Sequence, residues 1–316
     1  YTNFEMDEIS ITPCPATARN DAPVLYKFVA GKAMEINMLS VWSADSKFQR
    51  FPKLNKDIKT SVAIIGGGIT GILCAYMLQQ NGVDCVVLEA DRICNGVTHN
   101  TTAKITSQHG LVYDKFIKKF GIEKTQMYLQ ANEKAINRYA ELCKNISCEF
   151  ERKDNYVYSV NNSKKINDEL HALVRIGYNP DFCTEIPVPI DIAGAVKFPN
   201  QAQFNPLQFL SHISKELTIY ENTKVIEIRG NKAITEKPKI TADYFIVTTH
   251  FPFMNKYGGY FIKLYQERSY VLALENGPQI DGMYVDEAKK GMSFRNYKNY
   301  LLVGGGDHRT GKDGGN

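Results

Sequence analysis

Gly66, Gly68 and Gly71 stand in the spacing G-x-G-x-x-G, with Gly67 inside the motif and Ala75 just beyond it. Glycines so placed have a mechanical use where a strand turns into a helix. The first permits a tight turn, and the second leaves room for a diphosphate to approach the helix. The third lets that helix lie close against its strands. Unpaired N–H groups and the positive dipole end then meet the anion. Glu89 follows the apolar run Cys85-Val86-Val87-Leu88. There a carboxylate accepts both ribose hydroxyls of an adenosine and repels a 2′-phosphate. The chemistry implied is dinucleotide binding; the bland alternative is a structural glycine turn with no ligand. The motif alone leaves FAD and NAD open. Gly96 to Lys104 (Gly-Val-Thr-His-Asn-Thr-Thr-Ala-Lys) is a glycine followed by small and hydroxyl residues. It suits a loop along a pyrophosphate–ribityl chain, which NAD lacks, and as bare composition it equally suits a solvated loop.

Such a corner needs a strand before it and a helix after it. Ser61-Val62-Ala63-Ile64-Ile65 is a short apolar run of the kind covered on both faces. Ile69, Ile72, Leu73, Tyr76 and Met77 then recur on one helical face, and Gly82 closes the helix. This reads as one βαβ unit, not a membrane span, because four glycines interrupt Val62 to Leu78 and Gln79-Gln80-Asn81 follow. Beyond it, 111–146 reads as helical with a break at Gly121, 150–160 as strand, and 167–176 as helix. The 180–199 stretch reads as loop-like with short extended pieces, and 206–216 as helix. Strands are expected at 223–228, 243–249, 269–275, 283–286 and 300–303, with a loop from Gly304 onward.

The 316 residues are 43% hydrophobic and 23% charged, which excludes disorder, and they allow about two domains. A formal net charge of +4 without a dense basic stripe gives no reason to expect a nucleic-acid partner. Seven scattered cysteines, with no C-x-x-C and no C-x-H, fit neither a disulfide scaffold nor a zinc or Rieske site. Reduced thiols in a cytoplasmic protein without a membrane segment or signal peptide are the simplest expectation. Residues 1–37, with three prolines and no sustained periodicity, read as a flexible extension. A chain that opens on Tyr1 and stops soon after an apolar strand reads as a fragment.

The glycine corner, Glu89 and Gly96-Val97-Thr98 resemble the FAD-binding signature of the D-amino-acid oxidase/glycine oxidase (DAO) superfamily. Several further stretches resemble a bacterial branch whose longer members carry a C-terminal Rieske [2Fe–2S] domain. They are Ser40-Val41-Trp42, Thr101 to His109 (Thr-Thr-Ala-Lys-Ile-Thr-Ser-Gln-His), Gln201-Ala202-Gln203-Phe204, Thr249-His250-Phe251-Pro252 and Glu267-Arg268-Ser269-Tyr270. The resemblance runs from about Met38 to Thr310. It implies FAD as cofactor, with Gly66, Gly67, Gly68 and Gly71 on the pyrophosphate and Glu89 on the adenosine ribose. Thr98 and Thr102 would contact pyrophosphate or ribityl, and Ala103 and Lys104 would lie near the flavin. Val225 would give main-chain contacts to adenine, and the Thr248-Thr249-His250 turn would approach the flavin, with His250 where the family has glycine. The family's last strand–helix segment and the Rieske ligands are not among these residues.

The resemblance also implies oxidation of an amine or amino acid by hydride transfer to flavin N5, with an iron–sulfur partner or domain as electron acceptor. No nucleophilic dyad is needed and none stands out. Lys104, as a charge near the reduced flavin, and Arg295, as a carboxylate partner for substrate, are the candidate catalytic residues. Each has a structural alternative: an ion pair for Lys104, a surface or interdomain position for Arg295. His99 and His250 are possible flavin neighbours; Tyr156, Tyr158, Tyr270 and Tyr284 are possible pocket walls. The expected fold is α/β: a Rossmann-type FAD/NAD(P)-binding domain (58–150 and 206–252) with a strand-rich α+β substrate domain (151–205 and 253–316). An NAD-dependent dehydrogenase and a non-catalytic dinucleotide-binding or electron-relay fragment are the alternatives.

Overall fold

The computed structural model describes the backbone of residues 25–29 and 32–36, and residues 40–43, 46–254 and 259–311 in full. The chain divides into two compact units, 1–40 and 41–316. In the first, β1 (Leu25–Val29) and β2 (Lys32–Ile36) pair antiparallel. The segment read as a flexible extension therefore contains a hairpin; the rest of it lies outside the described residues.

The second unit begins its regular structure with β3 (Ile58–Ile65), α1 (Ile69–Gln80) and β4 (Cys85–Leu88). A two-residue strand β5 (Lys104–Ile105) precedes α2 (Tyr113–Phe120) and α3 (Ile122–Cys143), with Gly121 at φ 84° between the helices. Next come β6 (Glu151–Ser159), α4 (Ser163–Arg175), β7 (Asp181–Cys183), β8 (Gly194–Gln203) and α5 (Pro206–Ile213). Strands β9 (Ile219–Tyr220), β10 (Glu227–Arg229), β11 (Lys232–Ile234) and β12 (Lys239–Val247) follow. Last are α6 (Tyr260–Lys263), β13 (Glu267–Glu275), β14 (Met283–Asp286), β15 (Ser293–Tyr297) and β16 (Tyr300–Arg309).

Two sheets organise these elements. The six-stranded sheet runs β10-β11-β12-β3-β4-β9, parallel from β12 to β9 and antiparallel at the β10–β11–β12 end. Its central strand β3 buries Val62, Ala63, Ile64 and Ile65, as a strand covered on both faces must. Helix α1 covers one face through Gly71, Ile72 and Ala75, so the βαβ unit expected from the glycine spacing is present. The eight-stranded sheet runs β13-β16-β15-β14-β6-β8-β5, with β7 on β8. This is a Rossmann-type sheet beside a strand-rich region, the α/β class expected. Among the described residues no helix is long and apolar enough to cross a membrane.

Three expectations differ from the structure. The short extended pieces expected within 180–199 are β7 and the start of β8, and β8 runs on unbroken to Gln203, its ladder with β6 slipping at Lys153/Asn155 opposite the Pro199-Asn200 stretch. The loop expected from Gly304 is instead a continuation of β16, because β13 and β15 supply ladder partners on both sides. The strand expected at 223–228 shrinks to Glu227–Arg229.

Glycine at 71 is a packing requirement. A Cβ built there would lie 1.9 Å from the Gly66 carbonyl oxygen, which would force α1 off the sheet. Gly71→Ala is expected to lower stability by about 1–3 kcal/mol or more, read as a shifted urea midpoint. Gly96→Ala, where an added Cβ meets nothing within 4 Å, should stay within about 0.5 kcal/mol of the parent.

Candidate functional site

The glycine corner leaves β3 at Ile65 with Gly66 at φ 110°, a conformation open to glycine. Gly66 donates to the Leu88 carbonyl at 2.9 Å, and the Gly67 N–H donates to Glu89 Oε2 at 2.6 Å. The other Glu89 oxygen accepts the Asp91 N–H at 2.9 Å. The acid at the end of β4 is thus tied directly to the corner. Each carboxylate oxygen keeps a second lone-pair direction for a hydroxyl. Thr98 is buried and its hydroxyl accepts the Ile69 N–H at 3.0 Å. The N–H groups of Gly68 and Thr70 carry no hydrogen bond to another described residue. Two donors of the first turn of α1 are therefore free for an anion.

From Thr98 the chain runs through a 3₁₀ turn (Val97–Asn100) into the segment Thr101-Thr102-Ala103-Lys104. Its carbonyls from Thr101 to Ala103 are all taken by side chains. Trp42 Nε1 donates to the Thr101 carbonyl at 2.8 Å, and Arg295 Nη1 donates to those of Thr102 at 2.7 Å and Ala103 at 3.0 Å. The Thr101 hydroxyl accepts the Ala103 N–H at 3.1 Å, and Ala103 sits at φ 54°. Two side-chain groups on this segment are unpaired among the described residues: the Thr102 hydroxyl and the Lys104 ammonium. Burial first, then the neighbouring Arg295 guanidinium, pulls the Lys104 pKa down to about 7.

Arg295 is placed differently from the expectation. It is 1% exposed, its Nε donates to the Asn296 carbonyl at 3.3 Å, and burial lowers its pKa to about 10. A guanidinium so enclosed and so engaged has no exposed donor for a substrate carboxylate. The Thr249 hydroxyl donates to the Phe251 carbonyl within its own turn. The residue that reaches the corner is Thr248, whose hydroxyl donates to the carbonyls of Ile65 at 3.0 Å and Gly66 at 2.9 Å. His250, standing where glycine was expected, adopts the left-handed conformation at φ 61°. Val225 lies in the extended stretch before β10 with its main chain unpaired. It follows Thr223, whose N–H donates to the Glu89 carbonyl at 2.8 Å. His99 is half-buried with only a long contact, 3.4 Å, to the Asn100 side chain. Tyr156 and Tyr284 stack on each other at 4.7 Å, and Tyr158 donates to the Met292 carbonyl. These are sheet-packing roles. Trp42 and Thr248 were not singled out as site residues, although Trp42 is the chain's one tryptophan.

The unpaired groups suit a long anionic dinucleotide. Free N–H groups at Gly68 and Thr70 match a diphosphate, and the tethered Glu89 with the open Val225 main chain matches an adenosine. The Thr102 hydroxyl and Lys104 match a polar chain with negative charge at its end. A model of the FAD dependent oxidoreductase (DAO) family matches residues 61–316. The chain belongs to that family. Its cofactor is FAD, and the resemblance drawn from the corner and the 96–104 loop was to this family. The putative Rieske 2Fe-2S iron–sulfur protein YhfW of Bacillus subtilis is 35% identical over 291 residues, covering 86% of this chain and 57% of the relative. The chain thus spans little more than half the length of that relative. In fold it is similar to glycine oxidase from Geobacillus kaustophilus, with a TM-score of 0.63, 17% identity and coverage of 81% and 73% of the two chains. L-proline dehydrogenase from P. horikoshii gives a TM-score of 0.62 at 15% identity, with 78% and 70% covered.

Glu89→Gln tests the tether. An amide keeps one oxygen and turns an NH₂ toward a main-chain N–H, so one of the two bonds to Gly67 and Asp91 is lost. FAD affinity, followed by fluorescence titration, is expected to fall about tenfold or more, roughly 1.4 kcal/mol. An unchanged Kd would count against a role for Glu89 at the cofactor.

Proposed function

We propose that this chain holds FAD across the β3–α1 corner and the 96–104 loop, and that the protein oxidises a small amine or amino acid. The observation that carries the reading is the row of unpaired groups beside the corner that Glu89 braces. FAD, when bound, supplies the electron sink for a hydride leaving the substrate C–H next to nitrogen. The chain's own residues bind and orient. Gly68 and Thr70 N–H groups receive the diphosphate, with Gly66, Gly67 and Gly71 letting the corner turn tightly and pack against Thr248, Ile93 and Glu89. Glu89 accepts from the ribose, Val225 offers its main chain to adenine, and the Thr98 and Thr102 hydroxyls meet the pyrophosphate–ribityl chain. Lys104, next to Ala103, supplies positive charge to the flavin end. The six-stranded sheet, with 58–150 and 206–252, is assigned to the cofactor. The strand-rich remainder, 151–205 and 253–316, is assigned to the substrate.

The likeness to a protein named for a Rieske centre supports an iron–sulfur group as electron acceptor. The test is turnover of the purified full-length protein with a panel of primary, secondary and α-amino-acid amines and an artificial electron acceptor. Flavin absorbance should bleach anaerobically with at least one of them. A flavin-bearing protein that no amine bleaches would remove the substrate class while leaving the cofactor site standing.

Lys104 gives this reading a pH signature. Its pKa near 7 means that the ammonium is charged below that value and neutral above it. A negative charge growing beside it raises that pKa. The stabilisation of that charge is therefore fully present well below pH 7 and is lost as pH rises through the raised value. The equilibrium extent of flavin reduction should show this inflection in the parent and lack it in Lys104→Met.

A further inference from the structure

We propose that Arg295 and Trp42 are positioning residues: together they clamp the Thr101–Ala103 main chain so that Thr102 and Lys104 face the cofactor. The inference deepens the FAD reading and rests on it. Three successive carbonyls are taken by two side chains, Thr101 by the Trp42 indole and Thr102 and Ala103 by one Arg295 nitrogen. No solvent molecule or secondary-structure ladder is needed to satisfy that stretch. The two side chains also hold each other, with the guanidinium carbon 5.3 Å from the centre of the Trp42 ring.

The clamp is anchored in the fold. Tyr297, two residues along β15 from Arg295, meets the Trp42 ring edge-on at 4.5 Å. Its hydroxyl accepts from Asn205 Nδ2 at 2.9 Å, and Asn205 Oδ1 caps α5 by accepting the N–H groups of Leu207 and Gln208. A path of direct contacts therefore runs from the start of α5 through Tyr297 and Trp42 to the loop.

The loop needs such a hold. Ala103 is left-handed, a conformation that disfavours any residue with a Cβ and persists where the surroundings over-determine it. Arg295 is a costly way to satisfy two carbonyls, because its charge is nearly fully buried and makes no ion pair among the described residues. Its charge has a second effect in the same place, since it helps keep the Lys104 ammonium easy to deprotonate. An apolar side chain of the same size would leave these carbonyls unpaired, so the donors fix the course of the 101–103 main chain and with it the place of Lys104.

The experiment uses the full-length protein with Arg295→Gln, Trp42→Phe and the double variant Arg295→Gln/Ala103→Gly. Amide hydrogen exchange on FAD-free protein reads the segment 101–104, and fluorescence titration reads FAD affinity. Exchange should quicken at 101–104 in both single variants while the six-stranded sheet keeps its protection. FAD affinity should fall roughly ten- to a hundredfold in Arg295→Gln and about three- to tenfold in Trp42→Phe. Adding Ala103→Gly should recover several-fold of the Arg295→Gln loss, because glycine takes the left-handed corner without steric cost. Should Arg295→Gln fail to fold, Trp42→Phe, which keeps a smaller aromatic ring and loses the one donor, carries the test. Unchanged exchange at 101–104, FAD affinity within about twofold of the parent despite faster exchange, or no recovery with Ala103→Gly would each overturn the proposal. A parent protein that takes no FAD defeats the cofactor reading and the second half of this one, while the exchange data still decide whether the clamp exists.

Discussion

The N–H of Gly67 donated to the Glu89 carboxylate is the bond around which the site is assembled. It joins the turn leaving β3 to the end of β4, and other bonds converge on the same two residues. The Gly67 carbonyl accepts the Cys94 N–H at 2.9 Å, the Glu89 N–H donates to Tyr220, and the Glu89 carbonyl accepts the Thr223 N–H. Corner, acid, cofactor loop and the approach to Val225 are thus referenced to one point. None of them can shift without disturbing a main-chain hydrogen bond in a half-buried place. That common reference sets a helix terminus, a carboxylate and an open stretch of backbone in fixed relation to one another, as the proposed cofactor site requires.

The second sheet reaches this assembly through the 101–104 segment. Lys104 pairs with Gln203 in the β5–β8 ladder, and Arg295 on β15 grasps carbonyls nearly two hundred positions earlier in the sequence. The segment therefore belongs to both sheets: its start follows Thr98 at the helix terminus, and its end is a strand of the larger sheet. Placing the joint here puts the loop where chemistry carried by a flavin would meet a substrate held by the strands.

The corner was legible because its information is local. Residues 61–89 carry a run of apolar residues, a glycine spacing and a helical period, and each constrains only its own neighbours. What was not legible depends on partners far along the chain. Nothing in Ser293-Phe294-Arg295 distinguishes an arginine that meets a carboxylate from one that meets carbonyls, since the choice is made by where β15 lies beside residues 102 and 103. Thr248 and Thr249 differ by one position, and in an extended stretch that sends their side chains to opposite sides. The contact of Thr248 with the corner carbonyls is of this long-range kind. Gly304 to Gly306 read as loop because glycine announces no face, yet β13 and β15 make the stretch a strand. The 194–203 strand was obscured in the same way by Pro199 and Asn200, which sit where its ladder slips.

Three residues with side chains adopt left-handed backbone at this site: Cys94 at φ 60°, Ala103 at φ 54° and His250 at φ 61°. Asparagine, aspartate and histidine are the side-chain-bearing residues met most often in this region, and cysteine and alanine gain less there. Their placement follows from what each segment must do. Cys94 turns the chain after Ile93 so that its N–H and thiol both reach the Gly67 carbonyl. Ala103 reverses the loop between two carbonyls that point to the same guanidinium. His250 ends the turn in which Thr248 meets the corner and Phe251 closes on Thr249 at 2.6 Å. In each case a kink lets backbone groups converge on one acceptor or donor, and the strain is local to the three segments that border the proposed cofactor. Glycine at any of them would remove that strain. With a side chain there, the hydrogen bonds around each corner supply the hold.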